Sequence, residues 1–124
     1  MYKAISFFSN AGIADVGVQQ TGVRVIAANE LLEKRANTYK LNHPETNVID
    51  GDINQLSEEK LFEMKNGNEI FLLIATPPCQ GVSIAGKRNN KDIRNQLIKP
   101  AVEAIKKLNP SWVWMENVPR YDEA

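Results

Sequence analysis

The chain is sparing in three respects. Among 124 residues it has one cysteine, no excess of either charge, and no long apolar run. A single cysteine excludes an internal disulfide and suits a reducing compartment. Lys plus Arg number 15 and Asp plus Glu number 15, so the balance argues neither for nor against nucleic acid. No apolar stretch is long enough to span a bilayer, and the opening MYKAISFFSNAG lacks the apolar core of a signal peptide. Internal repeats, low-complexity segments and linkers are missing too. The length suits one core, and the expectation is a soluble, cytoplasmic single domain with no membrane partner.

What is present is an alternation of short apolar runs and amphipathic stretches. AISFF (4–8) reads as a buried strand ending in the turn-prone SNAG, and IADVGVQQTG (13–22) as a helix closed by Gly22. VRVIAA (23–28) reads as a second strand. NELLEKRANTYKLNH (29–43) reads as a helix that must stop before Pro44. TNVIDGDI (46–53) gives a third strand, and SEEKLFEMKNG (57–67) a helix with a serine cap, ending on Gly67. IFLLIA (70–75) has the continuous apolar character of a strand covered on both faces. IRNQLIKPAVEAIKKLN (93–109) is helical in spacing, with a kink or break expected at Pro100. SWVWMENV (111–118) reads as a fifth strand. The pattern predicts an α/β fold, doubly wound, with a mainly parallel sheet of about five strands.

Ligands of such sheets sit beyond the carboxyl ends of the strands. Those ends read FFSNAG, ANE, DGDI, ATPPCQ and MENV, so polar or special residues gather on one rim. A turn at Gly12 before a helix, with Glu30 about 20 residues later, resembles an incomplete nucleotide-binding loop whose acid takes ribose hydroxyls. An ordinary strand–helix turn, with Glu30 starting the next helix, is the alternative. Asp52 suits an adenine amino group or, equally, a turn.

Cys79 follows Pro77 and Pro78, which fix the backbone and withhold two donors. The lone cysteine is thereby held at the rim and not packed as a small hydrophobe, and nearby Lys87 and Arg88 favour its thiolate. Glu116 ends the apolar run Trp112–Val113–Trp114–Met115. A carboxylate there is expected to be partly desolvated, which suits a proton donor; a satisfied strand-end glutamate is the plainer reading.

TPPCQGVSIAGKR followed by MENV resembles the DNA cytosine-5 methyltransferases. FFSNAG, ANE, GDI, PPCQ, DIRNQL (92–97) and ENV stand in the family's order along the chain. The resemblance implies a Rossmann-like, S-adenosylmethionine-dependent fold, incomplete relative to the family, and no metal. Phe8, Ser9, Asn10 and Gly12 would cradle the cofactor, Glu30 and Leu31 would meet its ribose, and Asp52 and Ile53 its adenine. Pro78 and Leu97 would complete the pocket, from which S-adenosylhomocysteine leaves. Cys79 would add to the cytosine ring and Glu116 would contact its ring nitrogen and amino group. Gln80, Ser83, Lys87, Arg88, Asn117 and Val118 would meet the flipped base and its DNA. A bacterial or phage restriction-modification or orphan methylation system is the implied setting. The sulfur after Pro-Pro separates the chain from amino-group methyltransferases, which place an aromatic ring there and need no covalent nucleophile.

Three positions depart from the family's pattern. Asn10 and Ile13 stand where glycines are usual, and Val82 replaces a phenylalanine. Asn tolerates positive φ; Ile13 is the less easily excused and is expected to weaken cofactor binding. The family also continues into further strands and a target-recognition domain. The chain is therefore expected to be a partial catalytic domain, served by a C-terminal part or a second chain that reads DNA. The alternative is a fragment or subunit that binds S-adenosylmethionine but transfers nothing unaided. A redox role for Cys79 is disfavoured by the lack of a resolving cysteine.

Overall fold

The computed structural model describes residues 1–77 and 98–116. Five strands alternate with helices: β1 (Lys3–Phe7), α1 (Ile13–Gln20), β2 (Arg24–Glu30), α2 (Glu33–Asn42), β3 (Asn47–Asp50), a 3-10 turn (Ile53–Gln55), α3 (Glu58–Lys65), β4 (Leu72–Ala75), α4 (Ile98–Leu108) and β5 (Trp112–Met115). The sheet order is β3-β2-β1-β4-β5, and every pairing is parallel. The chain walks outward from β1 to β3, then returns past β1 to lay down β4 and β5. The order therefore reverses between β1 and β4, the crevice where such sheets take ligands.

Alternation along β1 divides the core into two layers. Ile5 and Phe7 join Leu61 and Met64 of α3 and Ala101, Ala104 and Leu108 of α4. Ala4 packs on the other face with Val18 of α1, Val25 and Ile74. Both faces of β1, β2 and β4 are thereby covered, as their continuous apolar runs require.

Local chemistry ends the helices. Ser57 accepts a hydrogen bond from the Lys60 amide at 3.1 Å and caps α3. Gly22, at φ 90°, stands just past α1. Asn66, at φ 48°, takes the left-handed position after α3 that the sequence suggests for Gly67.

The β2–α2 boundary differs from expectation. Asn29 and Glu30 extend β2 instead of opening α2, because the Asn29 side-chain amide donates to the Ile49 and Gly51 carbonyls at 2.8 and 3.1 Å and ties β2 to the end of β3. Pro100 stands two residues into the described part of α4, which runs on to Leu108 without interruption; residues 93–97, where a break before it would fall, lie outside the described residues.

Candidate active site at the strand rim

Register brings the carboxyl ends of the strands level. Phe7 pairs with both Asn29 and Ala75, Glu30 with Asp50, and Ala75 with Met115. The segments that follow therefore leave the sheet along one edge. The Glu116 amide extends the β5 pairing by donating to the Ala75 carbonyl at 3.2 Å, which puts Glu116 beside Thr76 on this edge.

The loop from β1 to α1 carries most of the conformational strain. Phe8, Asn10 and Gly12 have φ of 55°, 54° and 86°; glycine and asparagine tolerate such values, but phenylalanine rarely adopts them. Such geometry persists only where the surroundings dictate it, and here they do. The Ser9 amide donates to the Asn29 carbonyl at 3.2 Å, and the Ser9 hydroxyl lies within 3.0 Å of the Ser6 carbonyl and 2.9 Å of the Ser6 hydroxyl. Thr76 Oγ1 donates to the Phe8 carbonyl at 3.0 Å and ties the loop to β4. Glu30, only 6 % exposed, accepts from the Asn10 amide at 3.0 Å through Oε1 and from the Leu32 amide at 2.8 Å through Oε2. One carboxylate thus fixes the loops after β1 and β2 together.

Behind the loop lies a buried polar chain that sequence reasoning missed. Asp15 of α1 is buried and accepts from Ser6 Oγ at 3.1 Å and from the Tyr39 hydroxyl. Burial raises its pKa, and the hydrogen bonds from Tyr39 and Ser6 and the nearby His43 offset only part of that rise. Burial also raises the Tyr39 hydroxyl, helped by the Asp15 charge. The Tyr39 and His43 rings stack with centroids 4.4 Å apart. His43 Nε2 lies 3.0 Å from the Gly12 carbonyl and its Nδ1 lies 2.9 Å from Gln19 Nε2. A neutral ring with its proton on Nε2 satisfies both contacts, donating to the carbonyl and accepting from the amide.

A sequence signal for this chain existed. Asp15 shares the inward stripe of α1 with Val18, and Tyr39 and His43 are four residues apart on one helix face.

Gly12 is forced doubly. Its φ disfavours a side chain, and a Cβ there would lie 2.5 Å from His43 Nε2 and 2.8 Å from Tyr39 Cδ2. Ile13 is different: it begins α1, is 82 % exposed and is not among the residues with positive φ. Its backbone makes no demand for glycine.

The remaining sequence candidates fall into three groups. Phe8 and Asp52 are half-buried, and Asn10 and Leu31 are exposed at the rim. Ile53 belongs mainly to the core beneath α3 and α4. Asp52 Oδ1 accepts from the Asn54 amide at 2.9 Å and its side-chain nitrogen at 3.0 Å, so this residue does cap a turn. Glu116 is exposed, as is all of β5. The desolvation expected at the end of an apolar strand is not found there: among the described residues β5 pairs with β4 alone. Pro78, Cys79, Gln80, Ser83, Lys87, Arg88, Leu97, Asn117 and Val118 lie outside the described residues, as does Val82.

Known proteins share this arrangement. The Type II methyltransferase M1.HgaI of Avibacterium volantium is 40 % identical over 121 residues, covering 93 % of this chain and 34 % of its own length. The Type II methyltransferase M.AquIA of Picosynechococcus is 39 % identical over 119 residues, covering 94 % of this chain and 48 % of its own. The chain thus spans between a third and a half of these relatives. A crystal structure assigned as a DNA modification methyltransferase encoded within an E. coli prophage superposes with a TM-score of 0.81 at 29 % identity, over 96 % of this chain and 32 % of that one. The family model for C-5 cytosine-specific DNA methylases matches residues 2–122, and the chain belongs to that family.

Proposed function

We propose that this chain forms the cofactor-binding and catalytic part of a DNA cytosine-5 methyltransferase, with Cys79 as nucleophile and Glu116 as proton donor. One observation carries the reading. The strained β1–α1 loop, Glu30, Asp52 and Glu116 follow the carboxyl ends of adjacent parallel strands, and the Pro-Pro-Cys-Gln segment continues directly from β4.

The residues present fit S-adenosylmethionine. Each Glu30 oxygen takes one backbone N–H and keeps a lone pair for a ribose hydroxyl. Among the described residues only Oδ1 of Asp52 is engaged, which leaves Oδ2 for an adenine amino group. Phe8, Ser9, Asn10 and Gly12 form the loop beside Glu30 at the end of β1, and Leu31, Ile53, Pro78 and Leu97 add apolar surface. When bound, the cofactor supplies an electrophilic methyl group and leaves as S-adenosylhomocysteine.

Carbon 5 of cytosine is too weak a nucleophile to take that methyl group directly. The Cys79 thiolate adds to carbon 6, and the ring electrons move toward carbon 5 and N3, where a proton from Glu116 neutralises the charge. After methylation a base removes the carbon-5 proton, the double bond re-forms and the cysteine is expelled. The cytosine must first leave the duplex stack. Gln80, Ser83, Lys87, Arg88, Asn117 and Val118 are the residues of this chain proposed to receive it. With no net charge, phosphate affinity and base reading are assigned to a target-recognition part, either a further segment or a second chain. The relatives' Type II designation supports a restriction-modification setting.

The test is trapping with 5-fluorocytosine DNA in an assembly that includes a target-recognition part. Fluorine blocks the final loss from carbon 5, so a covalent adduct at Cys79 is expected and Cys79→Ser should form none. Failure to trap an adduct in a cofactor-bound assembly would sink the mechanism. The relatives' greater length favours a second reading, a module that binds cofactor and is inactive unaided. Cofactor binding without transfer, whatever partner is supplied, would decide for it.

A further inference from the structure

We propose that Tyr39 of α2 and His43 just past its end, acting with Asp15 and Gln19 of α1, are positioning residues that hold the β1–α1 loop in its cofactor-ready shape. The proposal rests on the S-adenosylmethionine reading, and none of the four residues is assigned to touch the cofactor.

Every residue from Ser9 to Gly12 is gripped through its backbone from outside the loop. The Ser9 amide is held by β2, the Asn10 amide by Glu30, the Gly12 carbonyl by His43, and the Ala11 carbonyl by a long 3.4 Å bond from Asn42. Two of these four grips come from the C-terminal end of α2 and the residue that follows it, where Tyr39 and His43 press against Gly12 with no room for a methyl group. The segment Tyr39–Asn42–His43 acts as a clamp on the loop.

The buried chain sets that clamp. Asp15 anchors the Tyr39 hydroxyl, Tyr39 stacks on His43, and the Gln19 amide keeps the imidazole proton on Nε2, aimed at the Gly12 carbonyl. Apolar side chains would join α1 to α2 without the penalty of a desolvated carboxylate, but they could not fix the direction of that carbonyl. Gly12 reaches positive and negative φ with similar ease and Asn10 tolerates both, so the loop samples other shapes once the grip loosens. Binding then has to reorder it.

Two measurements test the assignment: S-adenosylhomocysteine affinity by calorimetry, and amide hydrogen exchange at Asn10, Ala11 and Gly12 referenced to β4. Tyr39→Phe deletes only the hydroxyl and is expected to weaken affinity about tenfold and to speed loop exchange selectively. Gln19→Ala, at a half-buried site, should do the same more mildly and serves if Tyr39→Phe does not fold. Asp15→Asn keeps an acceptor for Tyr39 and should stay near wild type where Asp15→Ala does not. Unchanged loop exchange in the variants overturns the proposal, and so does faster exchange with unchanged affinity. If the wild-type protein binds no S-adenosylhomocysteine, the cofactor reading falls, and the exchange measurement still decides whether the clamp exists.

Discussion

The two ends of the sheet solve different problems. Around β1, β2 and β3 every rim loop is tied to a neighbour, by Ser9 to β2, by Glu30 across two loops and by Asn29 to the end of β3. At the far side, β5 pairs with β4 and its residues stand open, Trp112 at 65 % and Trp114 at 43 % exposed. Among the described residues, the half proposed to hold most of the cofactor is tied together through its own loops. The half proposed to carry the proton donor presents aromatic surface on an edge strand, the kind of surface that further protein normally covers. Cofactor binding and base chemistry therefore have different structural requirements, and perturbations on the two sides should separate them.

The sharpest break is expected at Gly12. Gly12→Ala adds a Cβ at positive φ and directs it into His43 and Tyr39. Left-handed strain and the forced shift of α2 together should cost about 2–4 kcal/mol, visible as a lower thermal midpoint. S-adenosylhomocysteine affinity should be lost with it. A variant that melts and binds like wild type would mean that the loop is not pinned. Ile13→Gly, by contrast, is expected to leave affinity unchanged, since Ile13 is exposed and helical.

Asp15→Asn probes the same half through pH. Burial raises the Asp15 pKa above the ordinary aspartate value, so the folded state holds this proton more tightly than the unfolded chain. Stability then falls as pH rises from the unfolded aspartate value of about 3.9 through the higher folded value. It levels off above that value, where the buried group is ionised in both states. Asn cannot ionise, so the variant should gain on wild type across that window and keep its advantage at neutral pH. Thermal midpoints of both proteins across pH 3.5 to 7 check this. A constant difference over the whole series would show that Asp15 does not titrate with folding.

The same division explains what was legible in the sequence. Continuous apolar runs announced β1, β2 and β4 because a strand covered on both faces must be continuously apolar. The rim could be read from the polar residues that end those runs. Glu30 was anticipated at a strand end, yet its link to the Asn10 amide was not, because that bond depends on how two loops meet. The Asp15–Tyr39 and His43–Gly12 contacts join residues 24 and 31 apart. No local pattern encodes such a pairing until the β1–α1–β2–α2 crossover brings the helices together. The partial desolvation expected of Glu116 is absent for a different reason: an apolar run shows that a strand forms, not which neighbours cover it, and β5 lies at the end of the sheet with its residues exposed.

The smallest stability effect should come from β5, and it discriminates the most cleanly. Trp112 is 65 % exposed and pairs with Leu72 across the β4–β5 ladder. Replacing it with Thr keeps a strand-forming residue and removes little buried area, so the thermal midpoint should move by the equivalent of about 0.5 kcal/mol or less. Cofactor affinity should not change, since Trp112 pairs with Leu72 at the amino end of β5, whereas the β1–α1 loop and Glu30 lie at the carboxyl ends of β1 and β2. What should change is association: an exposed aromatic edge strand favours pairing with other chains, and light scattering at rising concentration should show less of it in Trp112→Thr. A large loss of stability would place Trp112 in a packed environment and erase the contrast between the two ends of the sheet. A loss of cofactor affinity at constant stability would couple β5 to the loop and contradict their independence.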